Sequence, residues 1–216
     1  PPLQKTINAI YWLYGRKLTN RNPIWAAPFG WSILQVHITR AWFMLKTFIA
    51  LTDKTTSLIG NLVAPLSFIM MLLTCVVVVA RYSFNLGLTP LVETVIYLHG
   101  IVFMLGIPYA LKEQSHVRVD IIYSRLDMRA RALIDLLGTL IFLLPLSLFL
   151  IWSSLDYVNL SWNMQEGSAE PGGLPGVYLL KTLIPLMAAL LLLQGLSEFS
   201  RALLVILKPT NIPERI

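Results

Sequence analysis

Long apolar runs alternate with short polar segments over most of the chain. The clearest run, 55–80, carries no charged residue, and three further runs follow it. Because a helix needs about 20 mainly apolar residues to cross the hydrocarbon core of a bilayer, each run predicts a transmembrane helix. We place the four helices near residues 57–80, 93–112, 132–155 and 178–207.

The segment before the first predicted span has a different pattern. Between residues 31 and 54, polar side chains such as Arg40 and Lys46 follow one helical stripe, and apolar side chains fill the remainder. This distribution is typical of an amphipathic helix that lies in the membrane interface. We therefore divide the chain into an interfacial arm, 1–55, and a four-helix transmembrane domain with a C-terminal tail, 56–216.

Composition supports an integral membrane protein and excludes a soluble domain. Hydrophobic residues make up 56% of the chain and charged residues 13%, with a mean hydropathy of +0.68. All Lys and Arg residues except Arg81 and Lys181 fall on the side of the two termini, which predicts that both termini are cytoplasmic. The net charge of +6 then indicates anionic lipid and not nucleic acid. The predicted fold is an all-α integral membrane protein with four transmembrane helices and an N-terminal amphipathic arm.

The segment 111–132, between the second and third predicted spans, is densely charged. In an extended segment His116, Arg118 and Asp120 would share one polar edge, whereas on a helix their directions would diverge. We predict the extended arrangement, with Val117 and Val119 turned toward lipid or a partner. The alternative explanation is a solvated basic loop that only fixes the topology, in which Asp127 is predicted to cap the third helix and Arg131 to pair with Asp135.

The segment 161–181, between the third and fourth predicted spans, is rich in turn-forming residues. Trp162 suits the headgroup level, and Gly172 and Gly173 between two prolines favour tight turns over a helix. Because loops held by rigid elements often carry recognition, we predict a docking surface here. An irregular loop anchored by aromatic side chains is the alternative.

Candidate chemistry inside the predicted spans is sparse. Glu93, at the outer end of the second span, is expected to pair with Arg81. Cys75 is the single cysteine, so the chain forms no internal disulfide or thiolate metal site, and we interpret it as a small core residue. His99 is the one histidine expected inside a span, satisfied there by a neighbouring helix, and a haem with two histidine ligands lacks the second. An intramembrane redox or haem subunit and an autonomous channel or carrier are the alternative functions.

Several motifs taken together resemble the small membrane subunit of tripartite ATP-independent periplasmic (TRAP) transporters. HVRVD at 116–120 comes after Glu93 and Gly106 and before an Arg-rich turn. SWNMQEGSAEPGGLP at 161–175, followed by LLK and LLLLQG, is similar to the longer version of this subunit. The resemblance covers about residues 57–205.

The resemblance implies a non-catalytic role in the sodium-coupled uptake of organic acids across the bacterial inner membrane. In this family a periplasmic binding protein captures the substrate, and a large membrane subunit moves it together with sodium. The small subunit looks like a scaffold for the large, elevator-type subunit and like a docking surface for the binding protein. These two proteins and membrane lipid are therefore the expected partners. No cofactor is expected in this chain, and sodium is expected to bind the large subunit.

The resemblance also marks two sets of contact or structural residues. The predicted cytoplasmic hairpin contributes His116, Arg118 and Asp120. The predicted periplasmic side contributes Glu93, Trp162, Glu166, Ser168, Gly172, Gly173, Leu174, Pro175 and Lys181.

Overall fold

The computed structural model describes residues 29–113 and 126–207, and all regular structure within them is helical. Each of the four helices in these ranges contains a segment long and apolar enough to cross a membrane, which confirms the predicted all-α class and the four spans. The helices are α1, Phe29–Phe84; α2, Thr89–Lys112; α3, Met128–Asn163; and α4, Val177–Leu207.

The helix α1 is much longer than one membrane span. It continues from Phe29 to Phe84, so the predicted division between arm and first span, at 55–56, falls inside this helix. The chain divides into two compact units, and the boundary between them lies between Leu45 and Lys46. The placement of the arm in the membrane interface stays a prediction.

Between residues 61 and 84, one face of α1 is buried or half-buried. We call it the covered face, and its positions repeat every seven residues. Alternating steps of three and four residues are typical of helices that pack side by side at a shallow crossing angle. Cys75 lies off this face and is exposed, so its interpretation as a core residue is wrong. Between residues 61 and 84 the covered positions are Val63, Leu66, Met70, Leu73, Val77 and Ala80.

The helix α4 is the centre of the bundle and packs against both α2 and α3. Its side chains Ala188 and Gln194 are fully buried. The facing helix α3 buries Ser147, Ser154 and Ser161 at intervals of seven residues. Small residues let membrane helices approach closely, and the hydroxyls of Ser147 and Ser154 donate to carbonyl oxygens of their own helix. The α3–α4 contact therefore depends on small side chains whose polar groups are satisfied locally.

A widened turn lets α3 continue past a proline. Residues Thr139–Leu143 are π-helical, and the N–H of Leu144 donates to the carbonyl oxygen of Thr139, five residues back. Pro145 follows immediately, has no N–H, and would crowd the carbonyl of the preceding turn in a regular α-helix. Because this turn absorbs the proline, α3 reaches Asn163, beyond the predicted end at residue 155.

Candidate functional site

The connection between α3 and α4, residues 164–176, reverses the chain through a specific set of hydrogen bonds. The N–H of Glu166 donates to the carbonyl oxygen of Ser161 at 3.1 Å, while Gln165 adopts a positive φ of 48°. The side-chain amide of Gln165 also donates to the carbonyl oxygen of Trp162, at 3.0 Å. The end of α3 is thus capped by the first residues of the loop that follows it.

Glu93 anchors this loop to α2. Its side chain is on α2, only 9% exposed, and it accepts hydrogen bonds from the hydroxyl of Ser168 and from the N–H of Leu174, the latter at 2.5 Å. The N–H of Ser168 in turn donates to the carbonyl oxygen of Leu174 at 3.1 Å. The Glu93 carboxylate therefore holds two segments of the loop together, at Ser168 and Leu174, and ties both to α2. The expected pairing of Glu93 with Arg81 is wrong, because no ion pair joins these two described residues.

Two adjacent glycines shape the tip of the loop. Gly172 has a φ of +75°, a left-handed conformation that side chains with a Cβ rarely adopt. Gly173 donates its N–H to the carbonyl oxygen of Glu170 at 3.0 Å. A Cβ on Gly173 would lie 2.6 Å from a carboxylate oxygen of Glu93 and would also collide with Ser168. The first glycine is required by backbone conformation and the second by the closeness of the Glu93 anchor.

A second anchor ties the loop to α3 and α4. The ammonium of Lys181 lies 2.5 Å from Oε2 of Glu166, and the hydroxyl of Ser161 donates to the same oxygen at 2.6 Å. Hydrogen bonds from Lys181 and then from Ser161 lower the pKa of the Glu166 carboxyl below its ordinary value. The same ammonium lies 4.1 Å from the centre of the Tyr157 ring, in cation–π range. Glu166 is therefore held in its charged form at the point where the loop leaves α3.

Trp162 supplies a further connection between α3 and α4. Its indole N–H donates to the hydroxyl of Thr182 at 2.8 Å. Its ring and that of Tyr178 pack in a T-shaped arrangement, with ring centroids 4.7 Å apart. Trp162 remains 41% exposed, as expected for an aromatic side chain at the boundary between apolar and polar surroundings.

The residues expected to form a contact surface thus fall into distinct groups. Glu93, Ser168, Gly173 and Leu174 come together in the first anchor. Glu166 and Lys181 form the second, and Trp162 joins neither. Gly172 and Pro175 lie exposed on the loop surface.

The charged segment between α2 and α3 lies mostly beyond the described residues. His116, Arg118 and Asp120 fall outside them, so their shared polar edge stays a prediction. The predicted N-cap of α3 is confirmed, since Asp127 accepts a hydrogen bond from the N–H of Ala130 at 3.1 Å.

A polar network that we did not anticipate joins α1 to the C-terminal half of α4. Arg201 lies 2.7 Å from Asp53 and 3.5 Å from Glu198. Gln194, fully buried, donates to Asp53 at 3.2 Å and to Glu198 at 3.3 Å, and it accepts from the hydroxyl of Thr56 at 2.9 Å. Gln194 therefore donates a hydrogen bond to each carboxylate, and Arg201 forms an ion pair with each.

Only half of this network had a visible signal in the sequence. Gln194 is an amide within the apolar run of α4, and Glu198 and Arg201 follow at helical spacing on the same face. Their partners on α1 are about 140 residues away, with Gln194 and Asp53 separated by 141 positions. Within 29–113 and 126–207, no group of three His, Cys, Asp or Glu side chains could hold a metal ion.

The comparison with known families decides the identity of the chain. A family model described as "Tripartite ATP-independent periplasmic transporters, DctQ component" matches residues 70–205, well over half of the chain. The chain belongs to the DctQ family. The match begins inside α1 and includes Glu93, the α3–α4 loop and nearly all of α4, so both anchors are part of the DctQ region. No curated protein and no solved structure matches the chain.

Membership of the DctQ family, together with the four apolar helices, makes the chain a multi-pass integral membrane subunit of a TRAP transporter. The resemblance to a TRAP small subunit is thereby confirmed.

Proposed function

We propose that the chain is a non-catalytic small subunit that supports the large TRAP subunit and presents the α3–α4 loop to a periplasmic binding protein. The transporter would take up organic acids with sodium across the bacterial inner membrane. The distribution of Lys and Arg supports cytoplasmic termini and a periplasmic α3–α4 loop. The substrate and sodium would bind other subunits, and no cofactor is expected in this chain.

The construction of the α3–α4 loop is the observation that carries the docking proposal. A connection of 13 residues between two helices needs neither a buried carboxylate nor a left-handed glycine merely to close. Here the Glu93 and Glu166 anchors fix the loop at separate points, while Glu170, Pro171 and Gly172 stay exposed. A rigid loop loses little conformational entropy when a partner binds, so this construction favours recognition.

The scaffold proposal rests on the exposed surface of the bundle. Outside its covered face, α1 exposes large apolar side chains along its length, among them Leu62, Phe68 and Val79. Such surfaces suit either lipid or the apolar helices of another membrane protein. A subunit of a tripartite transporter requires a surface of the second kind, and the bundle offers ample area for it.

Substitution of the loop glycines tests the docking function. We expect Gly172→Val and Gly173→Val to weaken binding of the periplasmic protein to the reconstituted transporter and to lower uptake. A strained backbone position such as Gly172 costs about 1–3 kcal/mol, so the weakening by Gly172→Val should be roughly 5- to 150-fold. Binding is measured with the transporter in nanodiscs, and assembly of the two membrane subunits is checked by copurification.

Gly87→Val is the matched control for these substitutions. Gly87 lies in the connection between α1 and α2, and a Cβ there would meet no atom within 4 Å. It should leave docking and uptake unchanged. Wild-type docking and uptake with both loop variants would refute the docking role. Sodium-driven uptake by vesicles that contain this chain alone would instead favour an autonomous carrier, and a haem absorption band in the purified chain would favour a redox subunit.

A further inference from the structure

His99 is a polar side chain on an exposed face in the middle of a membrane helix. It lies ten residues after Thr89 in the 24-residue helix α2, about 15 Å along an axis of about 36 Å. Ile96 precedes it and Phe103 follows it on the same face, 54% and 58% exposed. The imidazole is therefore at mid-depth, flanked by two large apolar side chains.

The imidazole has no hydrogen-bond partner within 29–113 or 126–207. Its ring stacks on that of Phe103, with centroids 6.0 Å apart and an interplanar angle of 16°, a contact that satisfies neither ring nitrogen. We had expected a neighbouring helix to bury and satisfy His99, yet the side chain is exposed. At mid-depth a side chain this short cannot reach the headgroups, in contrast to a lysine or arginine near a helix end.

Two exposed hydroxyl side chains in the first span, those of Ser67 and Thr74, do not have this problem. The hydroxyl of Ser67 donates to the carbonyl oxygen of Ala64 at 2.6 Å, and that of Thr74 donates to Met70 at 2.8 Å. Because these hydroxyls are satisfied by their own helix, their face of α1 can meet lipid tails at little cost. His99 makes no such hydrogen bond to the carbonyl oxygens of α2.

We propose that the face formed by Ile96, His99 and Phe103 binds a transmembrane helix of the large TRAP subunit, which supplies a hydrogen-bonding side chain to His99 at mid-depth. This inference rests on the proposed function and names the surface that the scaffold uses. Lipid tails offer no donor or acceptor, so only a protein group can satisfy the imidazole there. The spacing of three and four residues along the face matches the seam that one helix presents to another.

Photo-crosslinking tests which molecule occupies this face. A photoreactive amino acid is placed at position 99 and, for comparison, at position 149, where Phe149 is 62% exposed near the middle of α3. With the assembled transporter in membranes, position 99 should capture the large subunit several times more efficiently than position 149. Capture at 99 of lipid alone, of a second copy of this chain or of another part of the same chain overturns the proposal. The proposal is also overturned if position 99 crosslinks the large subunit no more efficiently than position 149 does.

Substitution of the histidine supplies a second measurement. His99→Leu should weaken association with the large subunit about threefold, the equivalent of the ~0.6 kcal/mol typical of a hydrogen bond between membrane helices. His99→Gln, which keeps a donor and an acceptor, should restore part of this loss. Thr74→Val, the removal of an exposed but internally satisfied hydroxyl, should change nothing. Equal association of the His99→Leu and wild-type chains contradicts the proposal.

The two proposals fail in different ways. If the wild-type chain does not copurify with a large membrane subunit, the proposed function itself is wrong. If the complex forms but position 99 crosslinks elsewhere, the scaffold role stands and only the assignment of this face is wrong.

Discussion

The Glu93 anchor gives the sharpest test of how the α3–α4 loop is held. We consider Glu93→Gln, which preserves the shape of the side chain and removes its charge. The carboxylate accepts from two donors, the hydroxyl of Ser168 and the N–H of Leu174. A glutamine has one acceptor oxygen, so its NH₂ group would face one of these donors and leave it without a partner.

The expected magnitude follows from the loss of one hydrogen bond to a charged acceptor. Such bonds contribute about 1.5–3 kcal/mol each. If opening of the loop breaks this bond, the free energy of opening falls by the same amount. Amide exchange of Leu174 and Ser168 should then accelerate about 10- to 150-fold. Because water can reach the loop surface and replace part of the bond, we expect the lower end of this interval.

Hydrogen–deuterium exchange with mass spectrometry, on the chain in nanodiscs, measures the effect in fragments that cover 168–174. Glu170→Gln is the matched control, since Glu170 is an exposed acid of the same loop whose backbone, not its carboxylate, takes part in the turn. The control should exchange at the wild-type rate. Exchange of the Glu93→Gln loop at the wild-type rate, with helix content unchanged, would refute the idea that this carboxylate holds the loop.

Two further predictions concern the remaining polar contacts. Asp53→Asn and Arg201→Gln should show a coupling energy of about 1 kcal/mol in a double-mutant cycle of detergent unfolding, because their ion pair at 2.7 Å is partly shielded from solvent. Additive effects of the two substitutions would contradict the pairing. The lowered pKa of Glu166 means that its contact with Lys181 stabilises the folded state fully above the ordinary value of 4.5, and this contribution is lost as the pH falls through the lowered pKa. The melting temperature of the wild-type chain should therefore decrease in acid more than that of Glu166→Gln, and identical pH profiles would show that the contact adds no stability.

The sequence alone determined the number and approximate place of the spans. A membrane helix must bury its backbone in about 30 Å of hydrocarbon, so it requires a long apolar run, and such a run is visible without any tertiary information. The N-cap of α3 at Asp127 was equally local, because its partner Ala130 is three residues away. The TRAP resemblance likewise depended on contiguous motifs that the chain displays directly.

Tertiary structure alone decided which faces of the helices meet one another. In a soluble protein the buried face of a helix is the apolar face, whereas lipid is as apolar as a protein core, so hydrophobicity does not distinguish the two faces of a membrane helix. For this reason Cys75 was assigned to the core and His99 to a satisfied interior position, although both are exposed. The same limit applies to Glu93, whose partner Leu174 lies 81 residues away on a loop that no local sequence pattern connects to α2.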